Sequence, residues 1–167
     1  MKSSNAGLRF AAVAAAFLML AACSSTDSDG NASTNNSSSS SSIVPGSQED
    51  LVANVGDRVF FDTDRSTLSD DARATLQRQA AWMELYPNLT FTLEGHADER
   101  GTREYNLALG GRRANAAKDY LVSLGVNPSR LNTVSYGKER PVCLDSSESC
   151  WSQNRRAVTV IASGAAS

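Results

Sequence analysis

The sequence predicts an α/β sandwich (α+β) in which two main helices pack on one mixed sheet, with elements in the order βαβαββ. Three observations predict it. Short apolar runs, some alternating with period two, bracket two longer segments with helical periodicity. Each helical segment ends on a breaker, and the first opens on a capping serine. The patterned region, residues 49–167, has the size of a single domain with one core and contains no internal repeat.

The elements follow in order. Residues 52–61, "VANVGDRVFF", read as a strand, with Val59 and Phe61 on one face. Residues 66–88 read as a helix capped by Ser69, with Asp70 and Asp71 in the first turn, where the helix dipole favours acid. Ala72, Leu76, Ala80 and Met83 make its apolar stripe, and Pro87-Asn88 ends it. In "LTFTLEGHA", residues 89–97, Leu89, Phe91 and Leu93 alternate with polar residues, as in a strand with one buried face. The second helix runs from about Arg103 to Leu124, carries Ala114, Ala117, Leu121 and Leu124 on its stripe, and stops at Gly125. A turn and a strand fill 127–137, a loop of roughly 15 residues follows, and "RRAVTVIAS" closes the sheet.

The domain follows a leader and a tether. Lys2 and Arg9 precede an apolar run, residues 10–23, that is shorter than the about 20 residues a bilayer span requires and reads as a secretory h-region. It ends in Leu20-Ala21-Ala22-Cys23, which resembles a bacterial lipobox. That resemblance implies removal of residues 1–22 and acylation of Cys23, and Ser24 after it resembles an outer-membrane address. The expected location is the outer membrane, lipid-anchored, with the domain facing the periplasm. Removing the leader moves the formal charge from −2 to −4, which argues against a nucleic-acid partner. Residues 23–48 are nearly all small and polar, as expected of a disordered tether. Such a coil averages roughly 25–30 Å end to end. Cys143 and Cys150 lie close together in an exported chain and read as a structural disulfide, the alternative being a metal or redox pair.

The chemistry concentrates in "GHADERGTREYNLALGGRRA", residues 95–114. His96 is the sole histidine, so a two-histidine metal site is excluded, and near a strand end it reads as a hydrogen-bonded structural residue. Asp98 and Glu99 are adjacent and would point opposite ways, unlike the facing carboxylates of a glycosidase, although Asp62 or Asp64 could supply a distant partner. No nucleophile-elbow serine and no spare thiol is present. A grip suits these residues better than catalysis does, although spacing alone favours the plainer reading as ordinary ion pairs. Asn106 and Arg113, seven residues apart, share a helix face with Leu109 between them, Gly110 allows close approach, and Asp98 lies in the turn before that helix. An aspartate suits an ammonium, and an arginine fork suits a carboxylate. The plainer alternative pairs Asp98 with Arg113, Arg100 or Arg103 as ordinary ion pairs.

These residues resemble the OmpA-like peptidoglycan-binding domain family. The resemblance rests on "VFFDTDRSTLS" (59–69), "EGHADERGTREYNLALGGRRANAAKDYL" (94–121), "SYGKERPV" (135–142) and "WSQNRRAVTV" (151–160). It implies a non-enzymatic protein without cofactor or metal that binds the meso-diaminopimelate of the peptidoglycan stem peptide. By the family pattern Asp98 takes the ammonium and Arg113 the carboxylate. Phe61, Asp62, Thr102, Asn106 and Leu109 line the pocket, and Arg156 joins more weakly. Arg112 and Arg155 are expected to face solvent. Arg113→Ala is expected to leave the domain folded while weakening binding. The resemblance also implies a place in the Tol–Pal system, with the propeller protein TolB as partner and a role in envelope constriction at cell division. A peptidoglycan-cleaving enzyme, and a static anchor outside that system, are the rival readings.

Overall fold

The computed structural model describes residues 43–165. The leader, Cys23 and most of the expected tether lie outside the described residues. Gly46 and Ser47, assigned to the tether by composition, are buried, and Ser47 caps the first helix, α1 (Gln48–Asp50). The next turn, Leu51–Val55, is a π-helical continuation of α1. The long strand expected over 52–61 is therefore reduced to β1 (Arg58–Phe60). The reason lies in burial. Leu51 is buried and Val55 packs against the core, four residues apart, while Val52 between them is exposed. That is helical spacing, and Gly56, with φ of 93°, then turns the chain into β1.

α2 (Asp70–Leu85) begins at Ser69, whose hydroxyl accepts from the Ala72 N–H at 3.2 Å. Its last turn carries no basic residue of its own. Arg130 supplies the cation from a distance, donating to the carbonyls of Met83, Tyr86 and Leu89. β2 (Thr90–His96), α3 (Arg103–Ser123), β3 (Leu131–Gly137), α4 (Glu148–Asn154) and β4 (Arg156–Ser163) follow. α4 occupies the segment expected to be loop, and Cys143 and Cys150 are bonded there, with Cα atoms 5.1 Å apart.

The four strands make one open mixed sheet in the order β1-β4-β2-β3. β4 runs antiparallel to β1 and β2, and β2 runs parallel to β3, joined by the α3 crossover. The long helices cover one face. Leu76, Met83, Phe91, Leu93, Leu121 and Leu131, each nearly or fully buried, fill the space between. Gln79 ties the layers together: it donates to the Gly56 carbonyl at 2.6 Å and accepts from Thr159 Oγ1 at 2.8 Å. α3 lies unusually near β2. A Cβ on Gly95 would sit 1.8 Å from the Gly110 carbonyl oxygen, so both glycines are required by the approach itself.

The opposite face carries the alternate residues, including Phe60, Arg156, Glu94, His96 and Tyr136. His96 is 2% exposed, and among the described residues neither ring nitrogen finds a hydrogen-bond partner, Glu94 Oε2 standing 3.7 Å from Nε2, contrary to the sequence expectation of a bonded structural residue. Burial, and then the charges of Arg156 and Arg140, push its pKa down to about 4. The unfolded chain therefore takes up this proton near pH 6.5 and the folded protein only near 4. Stability from this group is complete above pH 6.5 and is lost as pH falls from there toward 4. Thermal melts across that interval should show a fall of roughly 2–3 kcal/mol attributable to His96. In His96→Leu that slope should be flattened.

Candidate functional site

The site forms where β2 ends and α3 begins. Ala97 N–H donates to the Gly137 carbonyl at 2.8 Å, extending the parallel pairing one residue past β2. The chain then turns through Asp98–Gly101, with Gly101 at φ of 87°, and Thr102 caps α3 by accepting from the Tyr105 N–H at 3.2 Å. Two side chains hold the turn from either side. Asn106 Nδ2 donates to the Arg100 carbonyl at 2.7 Å, and Lys138 Nζ donates to the carbonyls of Glu99 and Gly101 at 3.1 and 2.7 Å. Asp98 is thereby fixed at the foot of α3.

Beneath it lies Arg113, which is 0% exposed. Its Nε donates to the Arg65 carbonyl at 2.8 Å, Nη1 to the His96 carbonyl at 2.8 Å and Nη2 to the Asp62 carbonyl at 3.0 Å. The guanidinium carbon lies 5.3 Å from the centroid of the Phe61 ring. Three of five N–H donors are thus committed to backbone from the β1–α2 loop and the end of β2. Burial lowers the Arg113 pKa to about 10, with the Asp98 charge opposing that fall, so the group stays cationic at neutral pH.

Asp98 is held by other arginines. Oδ1 accepts from the Arg100 N–H and Nε, both at 3.1 Å, and Oδ2 accepts from Arg100 Nη2 at 2.7 Å and Arg155 Nη1 at 3.4 Å. Burial pushes the Asp98 carboxyl up, but the Arg100 hydrogen bonds and charge, with the Arg155 bond, outweigh it and hold the group below the usual aspartate value. Arg155 is buried rather than solvent-facing. It also donates from Nε to the Phe61 carbonyl at 3.0 Å and pairs through Nη2 with Glu148 at 2.5 Å.

A cleft of about 260 Å³ opens beside Asp98, walled by Thr63, Asp64, Arg100, Asn106 and Leu109, with Gly101 and Tyr105 at its rim. Its volume suits a group of amino-acid size. Tyr105 donates its hydroxyl to Asp64, whose own backbone has φ of 57°. The structure therefore brings Asp98, Asn106 and Leu109 together on the cleft, with Thr102 at the adjoining helix cap. Phe61 and Arg113 lie underneath, and Asp62 contributes its carbonyl. Arg112 is exposed, as expected. Arg156 is not brought to the cleft. Its neighbours Ala157 and Thr159 face the helices, so it faces the other way, donating to the carbonyls of Asn154 and Arg140. Arg155 and Tyr105 are the site residues that the sequence reading missed; Asp64 entered it only as a possible catalytic partner, and the Asp98–Arg100 ion pair is one that its plainer alternative named. The closeness of Arg100 to Asp98 was legible, but the arrival of Arg155 depended on the register of β4.

The family model described as the OmpA family matches residues 60–156. The chain is 66% identical over 117 residues to a peptidoglycan-associated lipoprotein of Rhizobium meliloti, a match covering 70% of this chain and 66%, just under two thirds, of that protein. It is 63% identical over 123 residues to the peptidoglycan-associated lipoprotein of Mesorhizobium japonicum, covering 74% of this chain and 73% of the relative. The crystal structure of the peptidoglycan-associated lipoprotein from Burkholderia pseudomallei is 44% identical, covers 63% of this chain and 89% of that one, and superposes with a TM-score of 0.61. The C-terminal domain of Helicobacter pylori MotB shares the fold at 22% identity, covering 65% of this chain and 85% of that one, with a TM-score of 0.61.

The burial of Arg113 bears on the expectation that Arg113→Ala leaves the domain folded. Arg113→Ala would remove three hydrogen bonds to backbone carbonyls and open a cavity under Phe61, so it should destabilise the fold by about 3–5 kcal/mol. Denaturant unfolding of the variant beside Asp98→Asn, which should unfold much nearer the wild type, checks this.

Proposed function

The chain belongs to the OmpA family, among the peptidoglycan-associated lipoproteins, and from that premise we propose that it binds peptidoglycan non-covalently through the free amino-acid end of diaminopimelate. The observation that carries this reading is Asp98: an ionised, largely buried carboxylate at the edge of an amino-acid-sized cleft, with the cationic Arg113 behind it. The ligand's ammonium takes Asp98. Its carboxylate is met by the field of Arg113 and by the first-turn amides of α3, a 21-residue helix whose cap, Thr102, adjoins the rim. Asn106 holds the turn, and Leu109 gives the ligand's methylene chain an apolar wall.

Binding rather than catalysis fits the same groups. The one histidine is on the far face of the sheet, and Asp98 is pinned by two arginines that hold its proton affinity down. A general acid needs the reverse. A few charge-assisted hydrogen bonds, at about 1.5–3 kcal/mol each, only modestly exceed the cost of association, so single contacts are reversible. Many lipid-anchored copies facing one wall then hold it by avidity. Anchoring through Cys23 in the outer membrane, a place in the Tol–Pal system beside TolB and a part in constriction at division are supported by family membership and by the leader sequence.

The reading is tested by calorimetric titration with a diaminopimelate-containing stem peptide and with the same peptide carrying lysine. The first should bind and the second, lacking the carboxylate, should bind far more weakly. Asp98→Asn should cost roughly 2–5 kcal/mol of binding, because an ammonium is left facing a neutral amide. Equal affinity for both peptides, or full binding by Asp98→Asn, sinks the assignment. The pH dependence has a definite sign. Asp98 has a depressed pKa, so binding should persist from neutral pH down to the ordinary aspartate value of 3.8 and fall only below it.

A further inference from the structure

The carboxylate that is to receive an ammonium is already occupied. Arg100 places two side-chain donors and its own N–H on Asp98, and this is the arrangement that a ligand cation would have to replace. We infer that Arg100 is a latch: a resident cation that stands in for the ligand's ammonium, sets the threshold for entry, and has its resting place fixed by α4. The inference rests on the cleft reading given above.

Of the two arginines on Asp98, only one is able to leave. The Arg155 side chain is 7% exposed and is tied down by the Phe61 carbonyl and Glu148. The Arg100 side chain is 39% exposed, and its other contacts are long or non-directional: Thr63 Oγ1 at 3.4 Å, Glu148 at 4.0 Å and the Trp151 ring, with its centroid at 4.2 Å. Trp151 and Glu148 both belong to α4, whose first turn the Cys143–Cys150 bond ties to the segment before it. Trp151 is itself oriented by donating Nε1 to Glu99 at 2.9 Å. The guanidinium can therefore move off the carboxylate while staying on Trp151 and nearer Glu148, which keeps its charge compensated. The Arg100 N–H and Arg155 remain to orient Asp98 for the incoming ammonium.

Such a latch has a quantitative signature. Apparent affinity is the intrinsic affinity scaled by the fraction of molecules with the latch open. Removing the side chain should tighten binding of the diaminopimelate stem peptide by about 3- to 10-fold, almost entirely through faster association. A residue that merely braced the loop would weaken binding when removed.

The experiment uses the full chain in mild detergent, with stopped-flow association and calorimetry against that peptide for wild type, R100A, D98N and the double variant. R100Q, which keeps the aliphatic stem on Trp151, is a second variant should R100A fold poorly. The expected result is tighter binding and faster association in R100A and R100Q, with the gain absent in the D98N background. Unchanged or weaker binding by both Arg100 variants, with wild type still sensitive to D98N, overturns the latch alone. Wild-type binding indifferent to D98N, or no binding by wild type and the Arg100 variants alike, overturns the cleft reading and the latch together.

Discussion

One buried cation organises this molecule. Arg113 projects from α3 into the space where the β1–α2 loop meets the end of β2, and its fork gathers carbonyls from Asp62, Arg65 and His96. A guanidinium is suited to this task because its donors are planar and divergent, so one side chain satisfies backbone from several directions. Without it the loop and the strand end would lose the three hydrogen bonds that tie them to α3. The loop that forms one wall of the cleft and the strand end that presents Asp98 are thus referred to a common point. α3 reaches that point only because Gly110 meets Gly95 without side chains between them.

The electrostatics follow from that arrangement. Arg113, Arg155 and Arg100 converge around one carboxylate, yet they differ in what else they hold. Arg113 is committed to backbone, Arg155 to the Phe61 carbonyl and Glu148, and Arg100 largely to Asp98 itself. The site is accordingly graded, from a rigid interior to a displaceable surface, and α4 belongs to it through Glu148 and Trp151 although it lies far away in sequence. The OmpA-family match ends at residue 156, at the first residue of β4, so it takes in both α4 and Arg155.

Most of the architecture was legible in the chain. The Ser69 cap, the Leu89/Phe91/Leu93 alternation and the Gly125 stop each encode their element locally, and each occurs where the pattern puts it. The failures have a common cause. Residues 52–57 contain β-branched and polar residues that suit a strand, but Leu51 and Val55 needed one face, which only the core could decide. Arg156 opens β4 and Arg155 is the residue just before it, still paired with Phe61 through its carbonyl, so the two face opposite ways and the β1–β4 register selects which one meets Asp98. His96 looked like a bonded residue because histidines usually are, and nothing local revealed that Arg140 and Arg156 would crowd it. Site residues borne by the local motif were readable, and those delivered by tertiary register were not.

The ends of the sheet have a mechanical meaning. The chain enters the domain at Pro45 and Gly46, which share a surface with Asn88, Leu89 and Gly164, beside the first residue of β2. Asp98 lies just past the last residue of β2. The two points are thus separated by the length of one strand, about 20 Å, and by little else. A pull applied between them would run along β2 and load its hydrogen bonds to β3 and β4 in shear. Peeling would break them singly. A joint loaded in shear resists tension far better than one loaded as a zipper, and under the proposed function this topology would align β2 with the line along which a membrane and a wall are drawn apart.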